Sequence, residues 1–326
     1  MNVLVTGGSG FLGRHLAAGL LEQGHEVHLL GRNFTPVQPL LARGARPVQA
    51  DLRDHRSVSA ACAGMDVVYH AGALSAPWGK RVDFFAINVG GTEAVLAGCR
   101  EHGVRRLIYV SSPSTVFDGS DQEKATEDVP YPRRFTSIYA LTKKLGEDRV
   151  NAAAATGMQT VIVRPKAIFG PGDQALLPRL IAVARQHRLP QIGDGRNLVD
   201  LTYVENVVHA LLLAAETPTA VGKTYTITNR EHAPLWDIIR GVLKRLDLST
   251  NLRRIPFSVA LGAASLMELH SSLTGKEPLL TRYSVMILAR TQTYDISAAQ
   301  RELGYTPHIP LADGIERTLE TFKEDI

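Results

Sequence analysis

The chain has 326 residues, of which 44% are hydrophobic and 21% are charged, with a formal net charge of +4. This composition allows a large core and argues against extensive disorder, and the length favours two lobes over one. Short basic clusters at 104–107 and 132–135 lack the interleaved aromatic residues of a nucleic-acid surface, so nucleic acid is not predicted as a partner.

Several further classes are disfavoured by residue type. Cys62 and Cys99 are the only cysteines, so the sequence offers neither a disulfide framework nor a cysteine zinc site, and the eleven histidines show no HExxH spacing. No metal is therefore predicted. No signal-peptide pattern precedes the first predicted strand, and the apolar run at 257–267 is too short to span a bilayer. We expect a cytoplasmic protein without an integral membrane segment.

The first half of the chain alternates short apolar runs with helical patterns. Buried strands are predicted at 2–7, 26–31, 46–51, 66–72, 106–112 and 159–165. Helices are predicted at 13–24, from about 89 to 102, and from 137 onwards. Apolar strands separated by helices favour an α/β fold, with a parallel sheet covered on both faces.

The pattern changes after residue 170, where prolines interrupt it. A turn is predicted at 193–197, a helix at 203–216, a strand at 223–228, and mainly helices with loops from about 230. We therefore predict a first domain of residues 1–170 that also receives about 198–228, and a smaller, mainly helical lobe within 171–326. The largely apolar segment 255–273 is either a lid over a lipid-like pocket or a core helix of this lobe.

The first predicted strand runs directly into "TGGSGFLG", in which Gly7, Gly10 and Gly13 are spaced three apart. Glycines allow a tight turn and let the backbone N–H groups of the motif, including those of Phe11 and Leu12, approach a pyrophosphate, and the N-terminus of the helix that follows adds partial positive charge. Because the motif lies between a strand and a helix, it predicts a doubly wound Rossmann domain that binds a dinucleotide.

The residues at the adenosine end favour NADP(H), with NAD(H) also possible. No carboxylate stands at the end of the second strand, where an NAD site usually has one, and Arg32 there is able to bind a 2′-phosphate. The alternative is that Arg32 is an ordinary surface arginine. Asp51 and Leu52 follow the third strand, where they would meet the adenine. Ala71 and Gly72 follow the fourth, where small residues let the backbone pass close to a cofactor.

Tyr139 and Lys143 lie four residues apart in "SIYALTKKLGEDRV". On a helix they fall about 40° apart and share a face, whereas Lys144 points elsewhere. Taken alone, this pair fits an ordinary solvated surface helix equally well.

The ordered motifs decide between these interpretations. With "TGGSGFLG", "DVVYHAGA", "NVGGTEAVL", "YVSSPSTVF", "YALTK" and "VRPKAIFGPGD" in this order, nearly the whole chain resembles the extended short-chain dehydrogenase/reductase superfamily. Within it, the chain is most similar to the 3β-hydroxysteroid dehydrogenase-like branch, which includes bacterial 2-alkyl-3-ketoalkanoate reductases.

This resemblance implies roles for individual residues. Tyr139 would exchange a proton with the substrate oxygen, and Lys143 would stabilise the phenolate and hold the nicotinamide ribose. A serine would orient the substrate oxygen. Ser112 is favoured for it, although alignment from the downstream side places Pro113 there and leaves Ser112 or Ser114 to substitute.

Two further positions carry expectations from the resemblance. Pro165 and Ile168 resemble the loop over the nicotinamide. Asn88 would support the cofactor and the active site, or else cap a helix.

Three functions remain in competition. The first is an NADP(H)-dependent oxidoreductase that interconverts a ketone and a secondary alcohol on a hydrophobic substrate, such as a β-keto acid, a sterol or a lipid. The second is a nucleotide-sugar epimerase, and the third a non-catalytic dinucleotide-binding regulator. A dehydratase is disfavoured, because Pro113 and Ser114 stand where that class carries an Asp-Glu pair.

Relatives pair two helices with their two-fold copies, which predicts a homodimer. The corresponding helices are near 89–102 and 139–155. The residues proposed to form the contact are Val95, Leu96, Leu141, Leu145, Val150 and Ala152 to Ala155. The alternative is that these residues pack on the sheet of their own chain.

Overall fold

The computed structural model describes residues 1–186 and 188–323. Its strands are β1 (Asn2–Thr6), β2 (Glu26–Gly31), β3 (Arg46–Gln49), β4 (Val67–His70), β5 (Arg106–Val110), β6 (Gln122–Ala125), β7 (Thr160–Pro165), β8 (Ile168–Phe169), β9 (Gln191–Ile192), β10 (Leu198–Val199), β11 (Thr202–Tyr203), β12 (Thr224–Ile227), β13 (Ala233–Pro234), β14 (Arg254–Ile255) and β15 (Gln292–Tyr294).

The α-helices are α1 (Phe11–Glu22), α2 (Gln38–Ala42), α3 (His55–Ala60), α4 (Arg81–Phe84), α5 (Gly91–Glu101), α6 (Ile138–Ala155), α7 (Leu177–Arg185), α8 (Val204–Glu216), α9 (Leu235–Arg245), α10 (Phe257–Thr274), α11 (Arg282–Ala289), α12 (Ser297–Leu303) and α13 (Leu311–Lys323). A π-helical segment, Phe85–Gly90, joins α4 to α5, and a 3-10 turn, Pro113–Val116, follows β5.

Seven parallel strands form the central sheet in the order β12-β7-β5-β4-β1-β2-β3. All five residues of β5 are buried, as expected of a parallel sheet that is covered on both faces. Helices α1 and α8 cover one face, where Leu16 and Leu211 are fully buried, and α3, α5 and α6 cover the other. The predicted doubly wound Rossmann fold is confirmed, and the reversal of strand order between β1 and β4 marks the crevice where such sheets bind ligands.

Two helices begin earlier than the sequence pattern predicts. Helix α1 starts at Phe11 instead of residue 13, and the helix predicted from about residue 89 starts at Arg81. In the second case, the charged residues Lys80, Arg81 and Asp83 obscure the apolar pattern. The π-helical segment then shifts the periodicity by one residue before α5 begins.

The remaining chain forms the second lobe around α9, α10 and α11, and a small sheet in the order β13-β10-β15-β6 lies beside it. Strand β6 comes from the first half of the chain, and it was not predicted because it has only four residues and a largely exposed, polar sequence. Helix α10 buries Ala260 and Ala264 in the core of this lobe and exposes most of its large apolar side chains, so the core-helix interpretation of 255–273 holds for one face of the helix only.

The residues proposed for a dimer contact divide into two groups. Val95, Leu96 and Val150 are buried among the residues that cover the sheet, which agrees with the alternative interpretation for these three. Leu145 and Ala152 stay partly or fully exposed on α6.

One helical stretch in the described part of the chain, Arg81–Glu101, is long and apolar enough to cross a membrane by length and composition. It packs on the sheet through α5, and 56% of its most apolar window is buried within the protein.

Candidate active site

The turn between β1 and α1 is packed directly against the end of β4. Gly7 has a φ of +66°, and a Cβ atom there would lie 2.6 Å from the Cα atom of Gly72. A Cβ atom on Gly13 would overlap the carbonyl oxygen of Gly7. Glycine is therefore required at both positions. The resulting cradle leads into the free N–H groups of the first turn of α1, at Phe11 and Leu12, which fits a pyrophosphate.

Three charged side chains meet at the adenosine end of the crevice. Asp51 accepts hydrogen bonds from the side chain of Arg53 at 3.0 and 2.7 Å. The Arg32 Nη1 atom lies 3.6 Å from the Asp51 carboxylate, and the Arg32 side chain is 70% exposed. The Arg53 hydrogen bonds hold the pKa of Asp51 down at about 2, although partial burial opposes this. Leu52 is buried and fills the space between Gly72 and Gly91.

A buried hydrogen-bond chain fixes the end of β4. Gly72 donates its N–H to the Thr6 hydroxyl at 3.1 Å, and the Thr6 hydroxyl lies 2.7 Å from Nδ1 of His70. His70 Nε2 lies 3.0 Å from the Thr92 hydroxyl, which donates to the Asn88 carbonyl at 2.7 Å. Because Thr92 donates onward, His70 donates from Nε2 and accepts at Nδ1, as a neutral ring. Burial accordingly lowers the pKa of His70 to about 3, and the Lys143 charge adds to this effect.

Asn88 lies inside the π-helical segment, so the helix-cap interpretation of this residue is wrong. Its side chain accepts a hydrogen bond from the Leu74 N–H at 2.7 Å and donates to the Leu74 carbonyl at 3.1 Å. It also donates to the Thr142 hydroxyl of α6 at 2.9 Å. Asn88 therefore ties the loop after β4, which begins with Ala71 and Gly72, to the helix that carries Tyr139 and Lys143.

Tyr139 lies in the first turn of α6, where the Ser137 hydroxyl caps the helix. Burial raises the pKa of Tyr139 to about 12, and a hydrogen bond with the Ser112 side chain opposes this shift. Ser112 ends the segment after β5 and caps the 3-10 turn, in which Pro113 is the first residue. Ser114 is buried in that turn and its hydroxyl has no partner among the described residues.

Lys143 is 2% exposed on the same face of α6 as Tyr139. Its Nζ atom lies 4.0 Å from the centre of the Tyr109 ring, a cation–π contact with β5. Burial lowers the pKa of Lys143 to about 7, and the negative charge of Glu147 opposes this. Lys144 points away and donates to Asp148 at 2.7 Å, as the helical phase predicts.

A buried ion pair lies one helical turn beyond Lys143. The Glu147 carboxylate is completely buried and accepts hydrogen bonds from Arg164 of β7 at 2.8 and 2.6 Å. The Tyr131 hydroxyl donates to the same carboxylate at 2.7 Å. Glu147 was not predicted as a site residue, although its position four residues after Lys143 on one helix face was a usable signal.

The loop after β7 follows the carboxyl end of a strand in the parallel sheet. Pro165 is buried at the end of β7, and Ile168 is half-buried at the start of β8. Between them, Ala167 adopts a φ of +43°, and Lys166 donates to the Gln292 side chain at 2.5 Å. This contact connects the loop to the small sheet.

A cleft of about 630 Å³ opens beside Tyr139, between the two lobes. Its wall combines aromatic and aliphatic side chains with arginines from three segments. The lining residues include Trp78, Arg81, Phe84, Arg133, Arg134, Phe135, Ile138, Tyr139, Leu141, Glu268, Arg282 and Tyr283.

The arginines of the cleft differ in their partners. Arg282 is neutralised by Glu268 at 2.7 Å, and the Arg81 guanidinium lies 4.8 Å from the centre of the Phe85 ring. Arg133 and Arg134 are exposed, and within residues 1–186 and 188–323 neither forms an ion pair. The cleft therefore offers apolar walls with three positive charges, those of Arg81, Arg133 and Arg134, that no carboxylate neutralises among the described residues.

Comparison with known proteins agrees with this geometry. A sequence profile of the 3-beta hydroxysteroid dehydrogenase/isomerase family matches residues 4–258. The chain is 38% identical to a 2-alkyl-3-oxoalkanoate reductase of Stenotrophomonas maltophilia, over 97% of this chain and 98% of that protein. It is 35% identical to a sterol-4-alpha-carboxylate 3-dehydrogenase, decarboxylating, of Mus musculus, over 98% of this chain and 90% of that protein.

A similarity to solved structures supports the fold. The UDP-glucuronic acid 4-epimerase of Bacillus cereus, solved in complex with NAD, superposes with a TM-score of 0.79 at 24% identity and covers 99% of both chains. The chain therefore belongs to the 3-beta hydroxysteroid dehydrogenase/isomerase family, within the extended short-chain dehydrogenases/reductases, and is an NAD(P)-dependent oxidoreductase that acts on CH–OH and keto groups.

Proposed function

We propose that this oxidoreductase uses NADP(H) to interconvert a hydrophobic β-keto acid and the corresponding β-hydroxy acid. The observation that carries the proposal is the buried Lys143 side chain on the same helix face as Tyr139, which lines an apolar cleft and whose pKa the Ser112 side chain lowers. A regulator that only binds a dinucleotide has no need of this arrangement.

In the reductive direction, Tyr139 donates its hydroxyl proton to the substrate oxygen while Ser112 holds that oxygen by a hydrogen bond. The nicotinamide, when bound, supplies the hydride to the carbonyl carbon. A phenol whose pKa burial raises to about 12 is a poor proton donor at neutral pH unless its anion is stabilised. Lys143 provides that stabilisation as a cation, and in the oxidative direction the same groups move the proton back to Tyr139.

Ser112 is proposed as the active-site hydroxyl in preference to Ser114. The Ser112 side chain lowers the pKa of Tyr139, whereas the Ser114 hydroxyl is buried in the 3-10 turn without a partner among the described residues. In this proposal Tyr139 transfers the proton to the substrate oxygen and Ser112 holds that oxygen in place.

The cleft supports a substrate with an apolar body and a carboxylate. In the reactions that give both relatives their names, the carbon that is oxidised or reduced is β to a carboxylate, as in a 3-oxoalkanoate and a 4-carboxylated 3-hydroxysterol. Here Arg133 and Arg134 are positioned to bind such a group, because their charges have no acidic partner among the described residues. Trp78, Phe84 and Phe135 provide apolar contact for the remainder.

The cofactor preference rests on Arg32. Its guanidinium is exposed beside the adenosine end of the crevice, and its weak 3.6 Å contact with Asp51 leaves its donors available for a 2′-phosphate. The Asp51 carboxylate accepts two hydrogen bonds from the Arg53 side chain. This contact partly neutralises its charge, so Asp51 repels a 2′-phosphate less strongly than an unpaired carboxylate would.

The proposal also covers the division of the chain into domains and the cellular location of the protein. Residues 1–170, with β10 to β12 and α8 added, form the dinucleotide-binding domain, and the rest of 171–326 forms the substrate lobe. A cytoplasmic location suits Cys62 and Cys99, which are both free thiols.

A nicotinamide absorbance assay tests the substrate class. A 2-alkyl-3-hydroxy acid, its methyl ester and a nucleotide sugar would be compared with the purified protein. We expect turnover of the acid, weaker turnover of the ester and none of the nucleotide sugar. In an Arg133→Ala/Arg134→Ala variant, KM for the acid should rise at least ~10-fold while the ester is unaffected. Turnover of the nucleotide sugar alone would contradict the proposal.

A further inference from the structure

The segment after β7 contains a buried lysine that the proposed mechanism does not use. Lys166 is 8% exposed, and its ammonium group donates a hydrogen bond to the Gln292 side chain of β15 at 2.5 Å. Its Nζ atom lies 5.7 Å from the centre of the Tyr294 ring. Burial lowers the pKa of Lys166 to about 8, and the negative charge of Asp200 opposes this shift. Because a buried charge is costly to desolvate and is weak evidence for added stability, this cation calls for another role.

The polar groups around Lys166 come from three other segments of the chain. Asp200 is completely buried and accepts a hydrogen bond from the Tyr294 N–H at 2.8 Å. Its other carboxylate oxygen lies 2.6 Å from Nδ1 of His232, whose side chain is 30% exposed. Burial raises the pKa of Asp200, and the hydrogen bond with His232 opposes this shift. Lys166 therefore belongs to a polar cluster that connects β15, the turn between β10 and β11, and the segment before β13.

The next residue has a backbone conformation that residues with a Cβ atom rarely adopt. Ala167 has a φ of +43°, in the left-handed region, and a strained residue of this kind persists only where its surroundings hold it. The Thr202 hydroxyl donates to the Lys166 carbonyl at 2.5 Å, and the Thr202 N–H donates to the Ala167 carbonyl at 3.3 Å. The Lys166 N–H donates to the Ile227 carbonyl at 3.0 Å. With its ammonium contact to β15, Lys166 is thus fixed at both its backbone and its side chain.

The segment that contains Ala167 extends between the two ends of the dinucleotide crevice. The Ser111 N–H donates to the Val163 carbonyl at 2.7 Å, so the segments after β5 and β7 start side by side. At the other end, the Arg14 guanidinium in the first turn of α1 donates to the Gly172 carbonyl at 2.6 Å. Ligands of such sheets bind outside the carboxyl ends of the strands. Residues 165–172 are therefore placed to contact a dinucleotide along the side that faces the catalytic segment after β5.

We propose that Lys166 is a positioning residue for the nicotinamide half of the cofactor, because its buried side chain holds Ala167 in the left-handed conformation that the backbone of 165–168 needs to bind the nicotinamide. This role rests on the proposed dinucleotide-binding function and not on the substrate class. Lys166 acts through the loop and does not touch the reacting atoms. Its contact with Gln292 also makes the small sheet beside the second lobe part of the support of the cofactor loop.

Binding of whole and truncated cofactors tests this role without any turnover. NADPH and NADH would be compared with the corresponding ADP-ribose fragments, which lack the nicotinamide, by calorimetric titration of the full-length protein. Lys166→Met keeps the length of the side chain and removes its charge. We expect this variant to bind the dinucleotides ~10-fold more weakly and the fragments like the wild type, because only the nicotinamide half depends on the strained loop.

A second substitution separates positioning from general stability. Glycine adopts a positive φ without a steric cost, so Lys166→Met/Ala167→Gly should recover most of the lost dinucleotide affinity. The matched control is Asp247, an exposed residue after α9 with a φ of +55°. Lys166→Met/Asp247→Gly relieves the same kind of strain far from the cofactor loop in sequence, and it should bind the dinucleotides as weakly as Lys166→Met alone.

Three results would overturn the role of Lys166. The first is a wild type that binds the fragments as tightly as the dinucleotides. The second is a Lys166→Met variant that binds both kinds of ligand like the wild type or loses affinity for both equally. The third is equal recovery by the Ala167→Gly and Asp247→Gly double variants.

Another variant keeps the test decisive if Lys166→Met does not fold. Gln292→Met removes only the acceptor of the ammonium group and keeps the charges of Lys166 and Asp200. It should also weaken binding of the dinucleotides and not of the fragments, and unchanged binding of both would overturn the role as well. Failure of the proposed function gives a different result, since a wild type that does not turn over the hydroxy acid leaves these binding comparisons unaffected.

Discussion

At the scale of single residues, the reaction depends on one transferable proton. Tyr139→Phe keeps the ring on α6 and removes the hydroxyl that is proposed to transfer the proton. We expect kcat to fall by at least ~100-fold, the lower end of the effect of general acid–base catalysis, while cofactor binding persists. Steady-state kinetics and fluorescence titration of the reduced cofactor measure the two quantities. Full turnover by the phenylalanine variant would contradict the role assigned to Tyr139.

Variants of two adjacent lysines test whether Lys143 has a specific role in the active site. Lys143→Ala should lower both kcat and cofactor affinity, because a buried cation beside Tyr109 is lost. Lys144→Ala serves as the matched control, since Lys144 pairs with Asp148 and lies 5.1 Å from the centre of the Tyr131 ring, away from the Lys143 side chain. A severe defect in the control would mean that the two lysines have exchanged roles.

The charge of Lys143 makes the reaction depend on pH. Burial places the pKa of Lys143 at about 7, so the cation is present below that pH and is lost as the pH rises through it. Of the titratable groups near it, His70 is neutral and Tyr139 is un-ionised, which leaves Glu147 as the group that stabilises the cation. Glu147→Gln should therefore move the alkaline limb of the reductive kcat/KM profile to lower pH.

The same variant leaves the Arg164 guanidinium buried without its carboxylate, which should destabilise the fold by about 3–5 kcal/mol. Thermal unfolding measures this loss separately from the pH profile. Tyr131→Phe is the control, because it removes one hydrogen bond to Glu147 and keeps the charge. A lower melting temperature with an unmoved alkaline limb would show that Glu147 only supports the structure.

Cofactor selection is also decided by single residues. If Arg32 binds the 2′-phosphate, the protein should prefer NADP(H) about 10- to 100-fold, and Arg32→Ala should remove most of that preference. Dissociation constants for both cofactors measure it. Arg43→Ala, which breaks only the exposed pair with Glu22, is the control. Tighter binding of NAD(H) by the wild type would show that Arg32 is an ordinary loop arginine.

The structure also limits how this preference can be reversed. A Cβ atom on Gly31 would lie 2.8 Å from the Ser9 hydroxyl, so Gly31→Asp requires Ser9 to move before its carboxylate can reach the ribose. We therefore expect Gly31→Asp to weaken NADP(H) binding and to favour NAD(H) only when it is combined with Ser9→Gly.

At the scale of elements, the position of α6 on the sheet sets the geometry of the site. A Cβ atom on Gly146 would overlap the hydroxyl oxygen of the fully buried Tyr109, so this glycine lets α6 approach β5. Gly146→Ala should push the helix outward and carry Tyr139 and Lys143 with it. We expect a loss of about 1–3 kcal/mol in unfolding free energy and a fall in kcat of up to ~100-fold.

The control for that variant is another helical glycine. Gly262 lies on the exposed side of α10, and a Cβ atom added to it would have no neighbouring atom within 4 Å among the described residues. Gly262→Ala should therefore leave kcat unchanged and raise stability by up to about 1 kcal/mol. Chemical denaturation and steady-state kinetics on both variants make the comparison. Equal stability and turnover in Gly146→Ala and the wild type would show that Tyr109 moves instead of α6.

At the scale of the whole molecule, the sequence predicted the parts of the fold that have a regular pattern. The buried strands and the glycine turn were recognisable because a parallel sheet demands apolar runs and a tight turn demands glycine at fixed positions. The helical stretch that begins at Arg81 was predicted to start later, because its π-helical segment breaks the 3.6-residue period of the apolar pattern. Strand β6 was hidden because its pairing with β15 lies far away in sequence.

The candidate active site also has a part that local sequence patterns predict and a part that depends on the tertiary fold. Tyr139 and Lys143 follow from helical spacing, whereas the contacts of Tyr109 and Arg164 depend on where β5 and β7 lie relative to α6. No local pattern contains that information. The solvent exposure of α10 was equally unpredictable from the sequence, because a helix with apolar residues on all sides is expected to be buried.

Association of two copies remains a prediction of the helix pair α5 and α6. Since Val95, Leu96 and Val150 are used inside the chain, the contact would be formed by the outer side of α6 around Leu145 and Ala152. A two-fold axis there would bury the same patch from each copy, and a charge at its centre would meet its own copy. Leu145→Glu should therefore convert the dimer to a monomer, whereas Leu198→Glu on β10 should not. Light scattering at micromolar concentration measures both, and a wild type that is already a monomer would exclude this interface.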